Sequence, residues 1–158
     1  MEKYTTKADV EITKEEAEKA MKFYDKPEGR FVPEYGNKYW VVEHTEGTYT
    51  SVWANDRIDN FRLLQGNVFR TEEEAKEHLA YLKAVVVIKE DAEWFVPDWS
   101  DDDQMKFFGE YCHYLKKIEC DYDYLIQTPN TIYFESVALL LKSQELHDKE
   151  WMIYLGIK

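Results

Sequence analysis

The same order of local signals occurs twice in this chain, and that repetition restricts its fold more than any other feature. Residues 38–82 and 105–147 each contain, in order, a hairpin pattern, a connector, a short apolar strand and a helix with an N-cap residue. The hairpins are rich in β-branched and aromatic residues, which favour strands. We therefore predict an α+β fold of two similar ββ-β-α units, in which antiparallel sheet packs against helices.

The step from strand to helix corresponds closely between the two copies. Phe69-x-Thr71 in the first matches Phe134-x-Ser136 in the second, and each hydroxyl residue can accept a hydrogen bond from the first helical turn. The first of these helices is expected to continue to about residue 89. Its β-branched AVVVI end is also compatible with a strand, but the apolar stripe keeps helical spacing and favours a helix.

Two further patterns fix details of the first copy. Glu46-Gly47 predicts a two-residue hairpin turn, which would set Trp40 opposite Trp53. The next segment predicts a short helix whose apolar residues share one face. Asn55 or Asp56 can cap this helix, and Gly66 can end it. Its apolar face consists of Ile58, Phe61 and Leu64.

The chain divides into three predicted segments. Residues 1–35 hold a connector and an N-terminal helix over 14–24, which a capping box of Thr13 with Glu16 introduces. Residues 36–90 form the first ββ-β-α unit. Residues 91–158 form an acidic linker and the second unit, whose hairpin turns near residues 113–116.

The net charge of −12 is concentrated toward the C-terminal end. Residues 1–35 and 36–90 each carry −2, whereas residues 91–158 carry −8. Such a field repels DNA, RNA and anionic lipid, so we expect no direct nucleic-acid binding and no membrane binding. A basic protein partner is compatible with this charge.

The segment WFVPDWSDDD at 94–103 combines this charge with large aromatic rings. Residues 91–123 contain ten acidic and three basic residues, and nine aromatic residues lie between 94 and 124. We expect Trp94, Phe95 and Trp99 to pin the linker to the core and hold its aspartates in a fixed array, although a solvated loop with no partner is the alternative. The candidate partner-binding residues are Asp98, Trp99, Asp101, Asp102, Asp103, Glu119, Asp121 and Asp123.

Signatures of catalysis are missing from the sequence. It has no phosphate-binding glycine loop, nucleophile elbow, H-E-x-x-H motif or EF-hand loop, and its four histidines are scattered. Cys112 and Cys120 lack a C-x-x-C spacing and are expected to be reduced thiols in a hairpin. Adjacent aspartates at 101–103 diverge in direction and make a poor cation site. We expect no enzyme activity, no cofactor and no metal site.

Several stretches resemble small proteins from phages and prophages of Gram-positive bacteria. These are GNVFRTEEEAKEHLAYLK, the preceding EGTYTSVWANDRIDNFRLLQ, VPDWSDDDQMKFF, TIYF and the terminal EWMIYLGIK, and together they cover most of residues 36–158. The resemblance implies a viral setting, in which small acidic proteins resemble anti-CRISPR and other anti-defence inhibitors.

The resemblance and the charge together lead to one functional expectation and two alternatives. We expect a monomeric or homodimeric inhibitor in the host cytoplasm that binds the basic groove of a defence protein, such as a CRISPR effector nuclease, and blocks DNA or RNA. The first alternative is a small-molecule module that stacks a nucleotide signal on Trp40, Trp53 or Trp99. The second is a structural or accessory phage protein.

Overall fold

The structure is a computed structural model that describes residues 3–5, 11–13, 30–43 and 47–157. The helix predicted over 14–24 lies outside these residues. Three two-stranded antiparallel sheets and four helices are present in the described part of the chain. The strands are β1 (Lys3–Thr5), β2 (Glu11–Thr13), β3 (Lys38–Glu43), β4 (Gly47–Val52), β5 (Lys106–Cys112) and β6 (Lys117–Asp123), and the helices are α1 (Arg57–Leu64), α2 (Glu72–Asp91), α3 (Val137–Leu146) and α4 (Asp148–Tyr154).

Contacts divide the chain into two compact units. Residues 1–41 and 50–70 form the first, and residues 42–49 and 71–158 form the second. Strands β1 and β2, which the sequence did not predict, pair with each other in the first unit. Helix α2 belongs to the second unit, although the repeat in the sequence groups it with the first copy.

The two ββ-β-α copies are confirmed by matching backbone bonds. Trp40 and Phe69 exchange backbone hydrogen bonds of 2.9 and 3.0 Å, and Phe107 and Phe134 exchange bonds of 3.1 and 2.7 Å. In each copy, therefore, the first hairpin strand pairs with the short strand that precedes the helix. The caps also match, since the hydroxyl of Thr71 accepts from Glu74 N–H at 3.2 Å and that of Ser136 accepts from Leu139 N–H at 3.3 Å.

Burial follows the same order in the first strand of both copies. From Tyr39 to Glu43 the residues are buried, half-buried, buried, buried and exposed, and the five residues from Lys106 to Glu110 repeat that order. Tyr39 and Lys106, the fully buried residues that begin the two series, both carry a polar group at the end of a long side chain. The two copies thus share a position where a polar tip must find partners inside the protein.

Tyr39 meets this requirement through helix α1. Its hydroxyl donates to Oδ1 of Asp59 at 2.6 Å and accepts from Nη1 of Arg62 at 2.9 Å. The Oδ2 atom of Asp59 accepts from Ala54 N–H at 2.6 Å, and Asp59 is only 3% exposed. Because both oxygens of the buried carboxylate are hydrogen-bonded, its charge is compatible with burial.

Helix α1 turns its apolar side toward solvent. Its N-cap is Asp56 and its end is followed by Gly66 at φ +74°, as the sequence predicts. The predicted apolar face of Ile58, Phe61 and Leu64 is exposed to solvent, however, and Leu64 is 80% exposed. The buried residue of this helix is Asp59.

The predicted register of the first hairpin is wrong. Trp53 does not lie opposite Trp40, because its N–H donates to Asn37 O at 2.9 Å and its carbonyl accepts from Gly36 N–H at 2.8 Å. Three residues separate the end of β3 from the start of β4, one more than in the predicted two-residue turn. The longer connection changes which residues of the two strands lie opposite each other. Trp53 packs edge-on against Tyr39 instead, with ring centroids 5.7 Å apart.

The core of the second unit lies between one face of the β5–β6 hairpin and helices α2, α3 and α4. Trp151 of α4 is fully buried and stacks on Phe134, and its Nε1 donates to the hydroxyl of Ser143 at 3.0 Å. Helix α2 runs to Asp91, which confirms that the AVVVI stretch is helical. The other buried residues of this core are Ile88, Ala92, Ile132 and Leu140. None of the helices in the described residues is long and apolar enough to cross a membrane.

Candidate functional site

The aspartates of the linker lie in a loop that is closed by its own side chains. Oδ1 of Asp98 accepts from the N–H and the hydroxyl of Ser100, at 2.9 and 2.6 Å. Oδ1 of Asp101 accepts from Asp103 N–H at 2.9 Å, and Asp98 N–H donates to Oε1 of Gln104 at 2.8 Å. These short-range bonds are typical of aspartate turns and give residues 98–104 a defined backbone.

Lys106 attaches this loop to the second hairpin. The residue has no solvent exposure, and its Nζ donates to the backbone carbonyls of Asp101, Gln104 and Tyr124 at 2.9, 2.9 and 3.0 Å. An ammonium group has three donors, so all of them are used. The loop and the end of β6 are therefore bound to the same buried cation.

Aromatic contacts hold the other side of the loop. Trp99 is half-buried and packs edge-on against Tyr133 at 5.3 Å, and the Nζ of Lys106 lies 5.0 Å from the centroid of its ring. Tyr133 also packs against the buried ring of Phe108 at 5.6 Å. Trp99 thus pins the linker, as the sequence predicts.

Trp94 behaves differently from the prediction. Its side chain is 58% exposed, so it does not anchor the linker in the core, whereas Phe95 is half-buried. Trp94 follows directly after the turn that ends α2, and its backbone has φ +55°. This left-handed turn directs the chain away from the helix end and leaves the ring at the surface.

The acids of β6 lie on the face of the hairpin opposite the core. In the β5–β6 register Asp123 pairs with Lys106, Asp121 with Phe108 and Glu119 with Glu110. Directly paired residues share a face, and residues two apart along a strand are separated by about 6.8 Å on it. The other face packs against the core through Phe107, Ile118 and Cys120.

The eight candidate residues differ in how free their side chains are. Asp98, Asp101, Asp102, Asp103 and Asp121 are exposed, whereas Trp99, Glu119 and Asp123 are half-buried. Glu119 forms an ion pair with Lys117 at 3.1 Å, and Oδ1 of Asp123 accepts from the N–H groups of Leu125 and Ile126. The structure therefore joins the backbone of the loop that carries four aspartates to Lys106, pairs Asp123 with Lys106, and sets Asp121 and Glu119 further along the same strand face. We call the loop aspartates with Asp121 and Asp123 the acidic array.

Two carboxylates of the array are held in the ionised form by hydrogen bonds. Bonds from the Ser100 hydroxyl and N–H lower the pKa of Asp98, and bonds from the N–H groups of Ile126 and Leu125 lower the pKa of Asp123. The positive charge of Lys106 lowers the pKa of both carboxyls further. These groups carry full negative charge at neutral pH.

The two cysteines are too far apart to form a disulfide. Cys112 pairs with Lys117 and Cys120 pairs with Gly109, so the cysteines are three positions apart along the ladder and on opposite faces. Burial raises the pKa of the Cys120 thiol, which lies against the core. Within the described ranges no group of three histidine, cysteine or acidic side chains is arranged to hold a metal ion.

The tryptophans considered for nucleotide stacking are largely occupied. Trp53 is 4% exposed and is covered by Tyr39, and Trp40 is half-buried at the bridge to Phe69. One face of Trp99 is already occupied by Lys106. Stacking of a base on Trp53 is therefore blocked, and Trp99 has one ring face fewer to offer.

Sequence reasoning missed the role of Lys106, the residue that attaches the loop to the hairpin. Lys106 stands at the start of an apolar strand, close after three aspartates, and no pattern in the sequence indicates that its ammonium group binds backbone carbonyls. The exposure of Trp94 had no sequence signal. Comparison of the chain with protein-family models, with curated proteins and with solved structures gave no match.

Proposed function

We propose that the protein is a non-enzymatic inhibitor that binds the basic, nucleic-acid-binding groove of a protein partner and blocks the access of DNA or RNA. The observation that supports this most is the buried ammonium group of Lys106, which holds the exposed aspartate loop through the carbonyls of Asp101 and Gln104. Carboxylates held in this way can take the positions of phosphates without the ordering cost of a disordered acidic tail.

The charge of the surrounding segment favours fast association with such a groove. Residues 91–123 carry ten acidic and three basic residues, and an acidic field of this kind steers a basic partner into contact. Competition is the mechanism that follows, because the same lysines and arginines cannot bind the acidic array and a nucleic-acid backbone at once. The resemblance to phage proteins makes a bacterial defence nuclease, such as a CRISPR effector, the partner class that we propose.

The experiment compares two charge-reversed variants with the wild-type protein. Asp102→Lys with Asp103→Lys changes the array at two carboxylates that make no hydrogen bond within the part of the chain the structure describes. Glu135→Lys with Glu145→Lys is the control, because it makes the same change in net charge at exposed positions outside the array. Both variants are first checked for an unchanged melting temperature.

Each immobilised protein is then exposed to a nuclease-treated lysate of a Gram-positive bacterium that carries a CRISPR system. The wild type and the control are expected to retain a basic nucleic-acid-binding protein, and the array variant is expected to lose it. Equal retention by all three proteins would contradict the proposed function, because binding would not depend on the acidic array.

A further inference from the structure

A surface groove adjoins the acidic array. It has a volume of about 230 Å³ and runs between residues 94–99 and residues 127–133 of the second unit. Its apolar side chains come mainly from the linker, and Ala92 and Ile132 contribute at its base. The apolar and aromatic side chains of its two walls include those of Trp94, Phe95, Val96, Pro97, Trp99 and Tyr133.

The exposed wall of this groove is unusually apolar for a surface loop. Trp94 is 58% exposed and Val96 is 83% exposed, and both line the groove. Glu93 and Trp94 also both have positive φ, at 53° and 55°, a conformation that is unfavourable for residues with a side chain. The fold therefore keeps a large ring at the surface in a conformation that glycine would adopt more easily, and the ring contributes little to the core.

The loop that continues from the groove wall is acidic. Asp98 stands in the chain between Pro97 and Trp99, which line the groove, and exposed Asp101, Asp102 and Asp103 follow it. Among the described residues that line the groove itself, the charged one is Lys89, and its Nζ lies over the ring of Trp94, 5.8 Å from the centroid. An apolar groove with an acidic border is complementary to an apolar side chain that has basic neighbours.

We propose that the groove binds a segment of a protein partner in which a bulky apolar side chain is flanked by arginine or lysine residues. The apolar side chain enters between Trp94 and Tyr133, and the flanking cations reach the loop aspartates. This inference rests on the proposed function and refines it, because it adds an apolar anchor to an interface otherwise based on charge. Such anchors commonly dominate the binding energy, while surrounding charges govern association.

The test uses two fluorescently labelled synthetic peptides of equal length and equal positive charge. One carries Leu-Trp-Leu at its centre between arginines, and the other carries Ser-Gly-Ser. Fluorescence anisotropy with the full chain is expected to give at least about tenfold tighter binding of the apolar peptide, since burial of one large side chain is worth that much or more. Equal affinities would overturn the inference.

Trp94→Gly is the decisive variant. It removes the ring and relieves the positive φ, so its melting temperature should be no lower than that of the wild type. We expect its affinity for the apolar peptide to fall to that for the polar peptide. The control is Tyr114→Ser, which removes a 92% exposed ring from the turn of the second hairpin and should change neither affinity.

The array variant separates failure of this inference from failure of the proposed function. Loss of binding of both peptides in Asp102→Lys with Asp103→Lys, together with an unchanged preference in Trp94→Gly, would leave the acidic array intact as a binding surface but reject the groove. Unchanged binding in the array variant would reject the charge-based function itself. Light scattering completes the test, because a dimer that Trp94→Gly converts to a monomer would show that a second copy fills the groove and would overturn the inference.

Discussion

The Nζ atom of Lys106 lies 2.9 Å from the backbone carbonyl oxygen of Asp101, and Lys106 has no solvent exposure. The loop that carries Asp98, Asp101, Asp102 and Asp103 is thus held by a buried cation that contacts its backbone. Because the lysine uses carbonyl oxygens, the carboxylates of the loop remain exposed to solvent. One side chain therefore supports both the order of the loop and its negative surface.

Lys106→Met should weaken the protein and loosen the loop. The substitution removes a charged donor from three carbonyls, and we expect the free energy of unfolding to fall by about 3 kcal/mol. Amide hydrogen exchange at residues 98–104 should become faster than in the wild type, whereas exchange in α3 should change much less. Chemical denaturation and hydrogen exchange with mass spectrometry measure the two effects.

Lys117→Met is the matched control for that substitution. Lys117 is in the same hairpin, its side chain is 59% exposed, and its ion pair with Glu119 lies at the surface. Exposed pairs contribute little, so we expect a change below about 1 kcal/mol. If Lys106→Met were as mild as this control, the buried ammonium group would not be what holds the loop.

Asp59→Asn tests the polar network of the first compact unit through pH. Burial by itself would raise the pKa of the Asp59 carboxyl, but hydrogen bonds from Tyr39 and Ala54 and the charge of Arg62 outweigh it, and the pKa lies below its ordinary value of 3.8. Because this pKa is lower in the folded than in the unfolded state, the ionised carboxyl stabilises the folded protein above pH 3.8. This stabilisation is lost as the pH falls through the pKa of the folded state.

At neutral pH we therefore expect Asp59→Asn to be less stable than the wild type by about 2 kcal/mol, because a charge-assisted network is lost. As the pH falls below 3.8 the difference should shrink, since the Asp59 carboxyl of the unfolded chain then takes up a proton, and it should vanish once the pH is below the lower pKa of the folded state. Urea denaturation at a series of pH values measures it. A difference that stays constant down to pH 2 would show that the charge of Asp59 contributes nothing. Asp102→Asn, at an exposed position, controls for the loss of one negative charge.

Gly109→Ala should destabilise the core of the second unit. A Cβ atom at this position would lie 2.6 Å from Cζ3 of Trp151 and 3.1 Å from Nε2 of Gln144. Trp151 is fully buried and cannot move without disturbing its stacking on Phe134, so we expect a loss of about 2 kcal/mol. Thermal unfolding measures it, with Glu110→Ala at the exposed neighbouring position as control. If Gly109→Ala and the wild type had equal melting temperatures, α4 would pack more loosely against the β5–β6 hairpin than it does in the structure.

Local signals explain why much of the fold could be predicted from the sequence. The caps at Thr71 and Ser136, the stop at Gly66 and the turn at residues 113–116 each depend on a few neighbouring residues, and all four are present in the structure. The repeat was visible for the same reason, because a phenylalanine and a hydroxyl residue recur at the same spacing before two helices.

Features that depend on distant parts of the chain could not be predicted in the same way. Helical spacing groups Ile58 with Phe61, but it does not say that Asp59 is the residue that turns inward to meet Tyr39. The partners of Lys106 are backbone carbonyls, which every residue possesses and no sequence pattern marks. The exposure of Trp94 depends on a left-handed turn at two residues that rarely adopt one. The sequence therefore predicted the charged residues of the candidate site, whereas the contacts that hold their loop in place were visible only in the structure.

Competition with a nucleic acid tests the central claim most directly. The partner retained from the lysate is purified, and its affinity for the wild-type protein is measured by calorimetry at several concentrations of a short DNA duplex or RNA that it binds. If the acidic array mimics a nucleic-acid backbone, the apparent Kd rises in proportion to the concentration of the nucleic acid. A Kd that is the same with and without saturating nucleic acid would contradict the account.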